Sequence, residues 1–169
     1  MHKVYVAIAS NFNAEFYIQR AIQLLSDAFG QLDISNIYRN PSIVEAEAEA
    51  EYFNLVVSFE INPAQLTSLE RASSDLILLL KELESQLDRK PKSEASGLVS
   101  IDLDLILFEG LQATIQGRQL PSPDILIYSF ILRPLSEIAA DLIENASQKS
   151  YSVLWQAFDK QAHRLEKVD

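Results

Sequence analysis

Apolar and polar positions change period several times along this chain, and each change marks an element. Val4, Val6 and Ile8 alternate with Tyr5, Ala7 and Ala9, a β-branched run that predicts a strand covered on at least one face. Ser10-Asn11 then serves as a plausible helix start. Phe16, Ala21, Ile22, Leu24, Leu25, Ala28 and Phe29 follow at helical spacing until Gly30 stops the run. Leu32, Ile34, Asn36 and Tyr38 give a weaker alternation that ends in Arg39-Asn40-Pro41.

The segment from Ile43 to Glu51 alternates glutamate with alanine from Glu45 onward. Its like charges repel and its small side chains build no core, so it reads as a solvated loop. Tyr52 to Ile61 is aromatic and β-branched, a further strand bounded by Asn62-Pro63. From Pro63 to about Leu87, leucines and isoleucines at 66, 69, 76, 77, 79, 80, 83 and 87 keep one helical stripe. The polar segment Arg89 to Gly97 leads into Ser100 to Phe108, the most strand-like apolar run of the chain. Leu135 to Ile143 and Ser150 to Leu165 read as helices, with Trp155 and Phe158 as docking residues.

The order β-α-β-β-α-β is that of a ferredoxin-like α+β fold: an antiparallel sheet with helices on one face, here with extra C-terminal helices. At 169 residues and 48% hydrophobic, the chain is expected to form a single domain spanning 1–169, with a helical tail from about 145. A formal charge of −10 argues against nucleic acid or an anionic membrane surface as partner. The absence of cysteine removes disulfides, thiolate nucleophiles and cysteine-bound zinc, and a cytoplasmic location is expected. The N-terminal apolar run is too short for a signal segment or a membrane span.

The four glycines, at 30, 97, 110 and 117, write neither a P-loop nor a dinucleotide fingerprint, and the two histidines stand near the chain ends. Any chemistry therefore falls to carboxylates and basic side chains. Asp102 and Asp104 stand two apart in the strand Ser100–Phe108, so they share one face and lie about 7 Å apart, while Ile101, Leu103 and Leu105 point the other way. Such a pair suits magnesium and phosphate oxygens. It also suits a strand with one wet face, and the spacing alone does not decide.

The surroundings carry a resemblance. Ile8-Ala9-Ser10-Asn11, Tyr38-Arg39-Asn40-Pro41, Tyr52-Phe53-Asn54, Glu84 before Arg89, Ile101-Asp102-Leu103-Asp104, Leu120-Pro121-Ser122-Pro123 and Phe130 to Ile138 occur in one order and spacing. From about residue 3 to 140 the chain resembles the 6-hydroxymethyl-7,8-dihydropterin pyrophosphokinases of folate biosynthesis. The resemblance implies transfer of pyrophosphate from ATP to the hydroxymethyl group of a reduced pterin, with two magnesium ions held by Asp102 and Asp104. It makes Asp102, Asp104 and Arg89 catalytic and assigns Asn40, Pro41, Ile43, Tyr52, Asn54 and Phe130 to the pterin. Glu84, Arg89, Lys92 and Leu105 fall to the nucleotide, and a monomer acting on small molecules is expected.

The chain also departs from that pattern. Pro91, Ser96, Val99 and Tyr128 stand where the family carries arginine, tryptophan, arginine and arginine, and Pro121-Ser122-Pro123 replaces Pro-His-Pro. Lys90, Lys92, Arg118 and Arg133 are the cations that could substitute. Two alternatives follow: a relative that binds a pterin or related ligand without efficient transfer, and an acidic domain that meets a basic partner.

Overall fold

A computed structural model describes residues 1–41, 51–62, 64, 67–90, 97–160 and 164–168. In chain order these form β1 (His2–Ser10), α1 (Ala14–Phe29), β2 (Asp33–Ile34), β3 (Tyr38–Pro41), β4 (Glu51–Ile61), α2 (Leu69–Gln86) and β5 (Asp102–Phe108). There follow β6 (Ala113–Ile115), β7 (Arg118–Leu120), a 3-10 turn (Pro123–Leu126), α3 (Ser129–Ile138), α4 (Tyr151–Ala157) and β8 (Glu166–Lys167). The main sheet runs β5-β1-β4-β3-β8, with β2 also on β4, and every pairing is antiparallel. This is the ferredoxin-like order expected from the sequence, and β6 and β7 form a separate hairpin.

Alternation along the strands divides the apolar residues between two cores. Val4, Val6, Ile8, Leu55, Val57, Leu103 and Leu105 face α1 and α2 and pack with Ile18, Ala21, Leu25, Leu76, Leu80 and Leu83. Tyr5, Val56 and Ile106 face the other way and pack with Leu132, Leu135 and Tyr151 from α3 and α4. The C-terminal helices thus cover the face that α1 and α2 leave open.

Several boundaries differ from the sequence reading, each for a local reason. Gly30 ends α1 as expected: at φ 82° it takes a conformation that costs other residues strain, and its N–H bonds to Ser26 O at 2.8 Å. Ser10 and Asn11 do not cap that helix. The helix opens at Ala14 behind a left-handed Asn13, and the two polar side chains are used elsewhere. The expected strand 32–38 is broken in the middle, because the Ser35 hydroxyl accepts the Val56 N–H at 3.0 Å and takes the place of a backbone partner.

α2 begins at Leu69, with Ser68 capping Arg71 N at 3.1 Å, rather than at Pro63, which lies outside the described residues. α3 begins before Pro134 and runs through it, ending at Ile138 rather than Ile143. The tail is helical at Tyr151–Ala157, not through Leu165. It returns as β8, since alternation over two residues carries no periodic signal. Of the glutamate-rich segment 43–51, residues 43–50 lie outside the described residues and Glu51 opens β4.

Candidate active site

Strand register builds the site. On β1, Ala7 is opposite Asp104 on one side and Val56 on the other; Ala9 is opposite Asp102 on one side and Asn54 on the other. Asn54 in turn faces Tyr38 across to β3. Asp102, Ala9, Asn54 and Tyr38 therefore form one row on a single face of the sheet. Two strand spacings, about 10 Å, separate the acid from the amide. Alanine rises little above the pleat, so the row leaves a shallow floor between an acidic and an amide wall.

The acidic wall lies on the outer strand. Asp102 and Asp104 are 36% and 37% exposed and open into a cavity of about 430 Å³ lined also by Lys81, Glu84, Ser85, Arg89, Lys90 and Arg118. Arg118, from β7, donates to Asp104 Oδ1. Arg89 Nη2 and Lys81 Nζ approach Asp102 Oδ1 at 3.8 and 4.0 Å. Burial, then the charges of Asp104 and Glu84, push the Asp102 carboxyl up to about 6, against the weaker pull of Lys81 and Arg89. An ion site gains from that arrangement, because a divalent cation would relieve the repulsion between the two acids. Two carboxylates with room for phosphate and water oxygens also fit the way magnesium is usually held.

Two polar contacts hold the acids in place. Glu84 is 4% exposed, and its Oε1 accepts the N–H of Leu103, the residue between the aspartates, at 2.7 Å. β5 is the edge of the sheet, so Glu84 supplies the partner that a further strand would have given. Lys81 Nζ balances that carboxylate at 2.7 Å. At the other end Ser10 Oγ donates to Ser100 O at 2.6 Å. Asn11 is bonded to Gly97 O at 2.9 Å and to Val99 N at 2.5 Å, latching the approach to β5 onto the end of β1.

The amide wall centres on Asn54, which is 4% exposed. Its Nδ2 donates to Asn40 Oδ1 at 2.5 Å, Tyr52 O at 3.2 Å and Tyr38 O at 3.4 Å. Among the described residues its Oδ1 accepts nothing, which leaves an oriented acceptor. Tyr52 stands opposite the buried Asn40 in register. Phe130, near the start of α3, is half-buried and stacks on Tyr128 with ring centroids 5.0 Å apart.

The sequence-derived residues thus fall into groups. Asp102, Asp104, Arg89 and Glu84 come together at one cavity, and Asn40, Tyr52 and Asn54 at the other wall. Leu105 is 3% exposed, with its side chain packed toward the helices, so it faces away from the acids. Pro41 ends β3, and Ile43 and Lys92 lie outside the described residues. The sequence reading missed Lys81. Its signal was the three-residue spacing to Glu84 on one helical face.

At two departures from the resemblance the side chains have other work, and at a third, Val99, the backbone carbonyl holds the segment after β1. Val99 O accepts the N–H groups of Asn11 and Phe12, Ser122 Oγ accepts Asp124 N at 3.3 Å, and Tyr128 stacks on Phe130.

Fold and site together define a ferredoxin-like α+β protein in which paired carboxylates, ringed by basic side chains, share a sheet face with a buried amide. Comparison with known proteins makes the assignment specific. The chain belongs to the 7,8-dihydro-6-hydroxymethylpterin-pyrophosphokinase (HPPK) family, whose model matches residues 5–140. It is similar to the 2-amino-4-hydroxy-6-hydroxymethyldihydropteridine pyrophosphokinase of Bacillus subtilis (strain 168), at 28% identity over 146 residues, 85% of this chain and 81% of that protein. It is also similar to the folic acid synthesis protein FOL1 of Dictyostelium discoideum, at 28% identity over 140 residues, 83% of this chain and 20% of that protein. The chain therefore spans a fifth of the Dictyostelium relative's length. Among the described residues, no helix is long and apolar enough to cross a membrane.

Proposed function

We propose that the protein is an ATP-dependent pterin pyrophosphokinase, acting as a single-domain cytoplasmic monomer on 6-hydroxymethyl-7,8-dihydropterin. The observation that carries this reading is the register that sets Asp102 beside Ala9 and Ala9 beside Asn54, so that acids, flat floor and amide share one face. A planar heterocycle laid on the alanines would meet the Asn54 carbonyl at its edge and direct its hydroxymethyl group toward the aspartates. Lys81, Arg89, Lys90 and Arg118 surround the cavity into which a triphosphate would extend.

In the reaction, the pterin hydroxymethyl oxygen bonds to the β-phosphorus of ATP as that phosphorus parts from the oxygen bridging it to the α-phosphate. AMP leaves and the hydroxyl proton passes to water. Such a transfer asks little covalent work of the protein, so positioning and charge neutralisation supply most of the rate. Asp102 and Asp104 are the residues that would hold two magnesium ions, whose contribution is to neutralise phosphate charge. Glu84 keeps the two acids in register from behind. Arg118 shifts its guanidinium from Asp104 to the phosphates.

A second reading is favoured by one observation: the Val99 side chain is buried, and those of Ser122 and Tyr128 are engaged in local contacts, where the resemblance leads one to expect basic side chains. On that reading the protein binds a pterin without efficient transfer. Incubation with ATP, magnesium and 6-hydroxymethyl-7,8-dihydropterin, followed by measurement of AMP, separates the two. We expect AMP that disappears in Asp102→Asn and Asp104→Asn. No AMP above a protein-free control, with calorimetry still showing pterin binding, would establish the second reading.

A further inference from the structure

The segment beyond residue 140 lies outside the family match, yet it grips the strand that supports the amide wall. We infer that this tail is a positioning element for the pterin half of the site, acting through Glu166 and Val168 at the sheet edge and Trp155 on the sheet face. This inference rests on the proposed binding of a pterin at Asn54.

β3 is four residues long and would be the bare edge of the sheet without the tail. β8 pairs Lys167 with Tyr38 and Glu166 with Arg39, and Val168 N donates to Ile37 O at 2.9 Å. The Glu166 carboxylate takes Arg39 Nε at 2.9 Å and Nη2 at 2.7 Å, and Arg164 at 2.9 Å. From the face, the Arg133 guanidinium lies 5.4 Å from the Trp155 ring centroid and 5.6 Å from that of Tyr38, and its Nε donates to Tyr38 Oη at 2.9 Å. Tyr38 Oη in turn donates to Glu137, which also accepts Asn36 N at 2.9 Å.

Tyr38 is therefore held from the strand edge by β8 and from its ring by a chain that begins at Trp155. Its carbonyl and the side chain of Asn40, two residues on, are acceptors for the Asn54 amide. A shift of β3 moves those acceptors and turns the Asn54 carbonyl. The acids lie on β5, three strands from β3, and among the described residues they share no contact with the tail in this chain of bonds. Loss of the tail's grip should thus weaken the pterin and spare the nucleotide.

The test uses the full chain. Val168→Pro removes the N–H that bonds to Ile37, and Glu166→Gln weakens the hold on Arg39 while leaving the backbone intact. Dissociation constants are measured separately for 6-hydroxymethyl-7,8-dihydropterin and for magnesium-ATP, with thermal melting to confirm folding. Weaker pterin binding, by roughly tenfold for Val168→Pro and less for Glu166→Gln, with magnesium-ATP unchanged, is the expected result. Should Val168→Pro fail to fold, Glu166→Gln carries the measurement alone. Pterin binding unchanged in the folded variants, or equal weakening of both ligands, overturns the inference while the proposed function stands. A wild type that binds magnesium-ATP but no pterin overturns both.

Discussion

The two faces of β5 are made from alternate residues and, from Asp102 to Leu105, obey opposite rules. Leu103 and Leu105 turn toward α1 and α2 and are almost wholly buried. Asp102 and Asp104 turn the other way, keep more than a third of their side chains exposed, and repel each other. The first face lowers the free energy of the fold by removing apolar area from water. On the second, charge is concentrated at a cost to the fold, an arrangement found where a ligand is to supply the missing counter-charge. Glu84 belongs to both: it is buried with the helix that packs on the first face, and its carboxylate fixes the strand that presents the second.

Substitutions on the two faces should separate activity from stability. Asp102→Asn is expected to lower AMP production by about 10³-fold or more, equivalent to about 4 kcal/mol in the barrier, while melting at pH 7 stays equal to or above that of the wild type. The opposite result is expected from Leu80→Ala on the first face, where Leu80 is 1% exposed. It should lose about 3 kcal/mol in denaturant unfolding with little change in turnover per folded molecule. Glu84→Ala should do both in smaller measure, costing about 2 kcal/mol because the Leu103 N–H loses its partner, and raising the magnesium-ATP requirement. Glu84→Gln, which keeps an acceptor, should recover much of the stability.

A pH series sharpens the same contrast. The Asp102 carboxyl, at about 6 in the folded protein and 3.8 as its ordinary value, binds its proton more tightly when folded. Its ionisation therefore opposes folding: its contribution to stability falls as pH rises from about 4 to about 6. Melting temperature compared with Asp102→Asn should show the wild type losing ground across that window, and magnesium should return part of the loss at pH 7. Arg118→Ala is expected to have the smallest effect on stability, below about 0.5 kcal/mol, since its ion pair with Asp104 is well exposed. A large loss of stability there would mean that Arg118 holds the acids together rather than serving the phosphates.

Much of this was legible in the chain. The β-α-β-β-α-β order, the Gly30 stop and the shared face of Asp102 and Asp104 follow from local periodicity, because side-chain direction repeats every two residues in a strand and nearly every four in a helix. The resemblance assigned Asn40, Tyr52 and Asn54 together to the pterin, and the register of β3 and β4 sets these three side by side. Other features escaped for physical reasons. Ser10 and Asn11 have the chemistry of a helix cap, but their partners are the backbone at 97–100, nearly ninety positions away. Glu84 resembles a surface acid on a helix until β5 is set against it, and β8 is too short to leave a pattern of its own.

The sequence by itself determined the order of the principal strands and helices and which face of each is apolar, since those depend on neighbours within a few positions. Only the tertiary structure decided what lies across from what: Ala9 between Asp102 and Asn54, Arg118 on Asp104, and the tail against Tyr38. Those pairings depend on strand order and register, which the chain reaches by closing loops between distant segments, and local pattern carries no record of them.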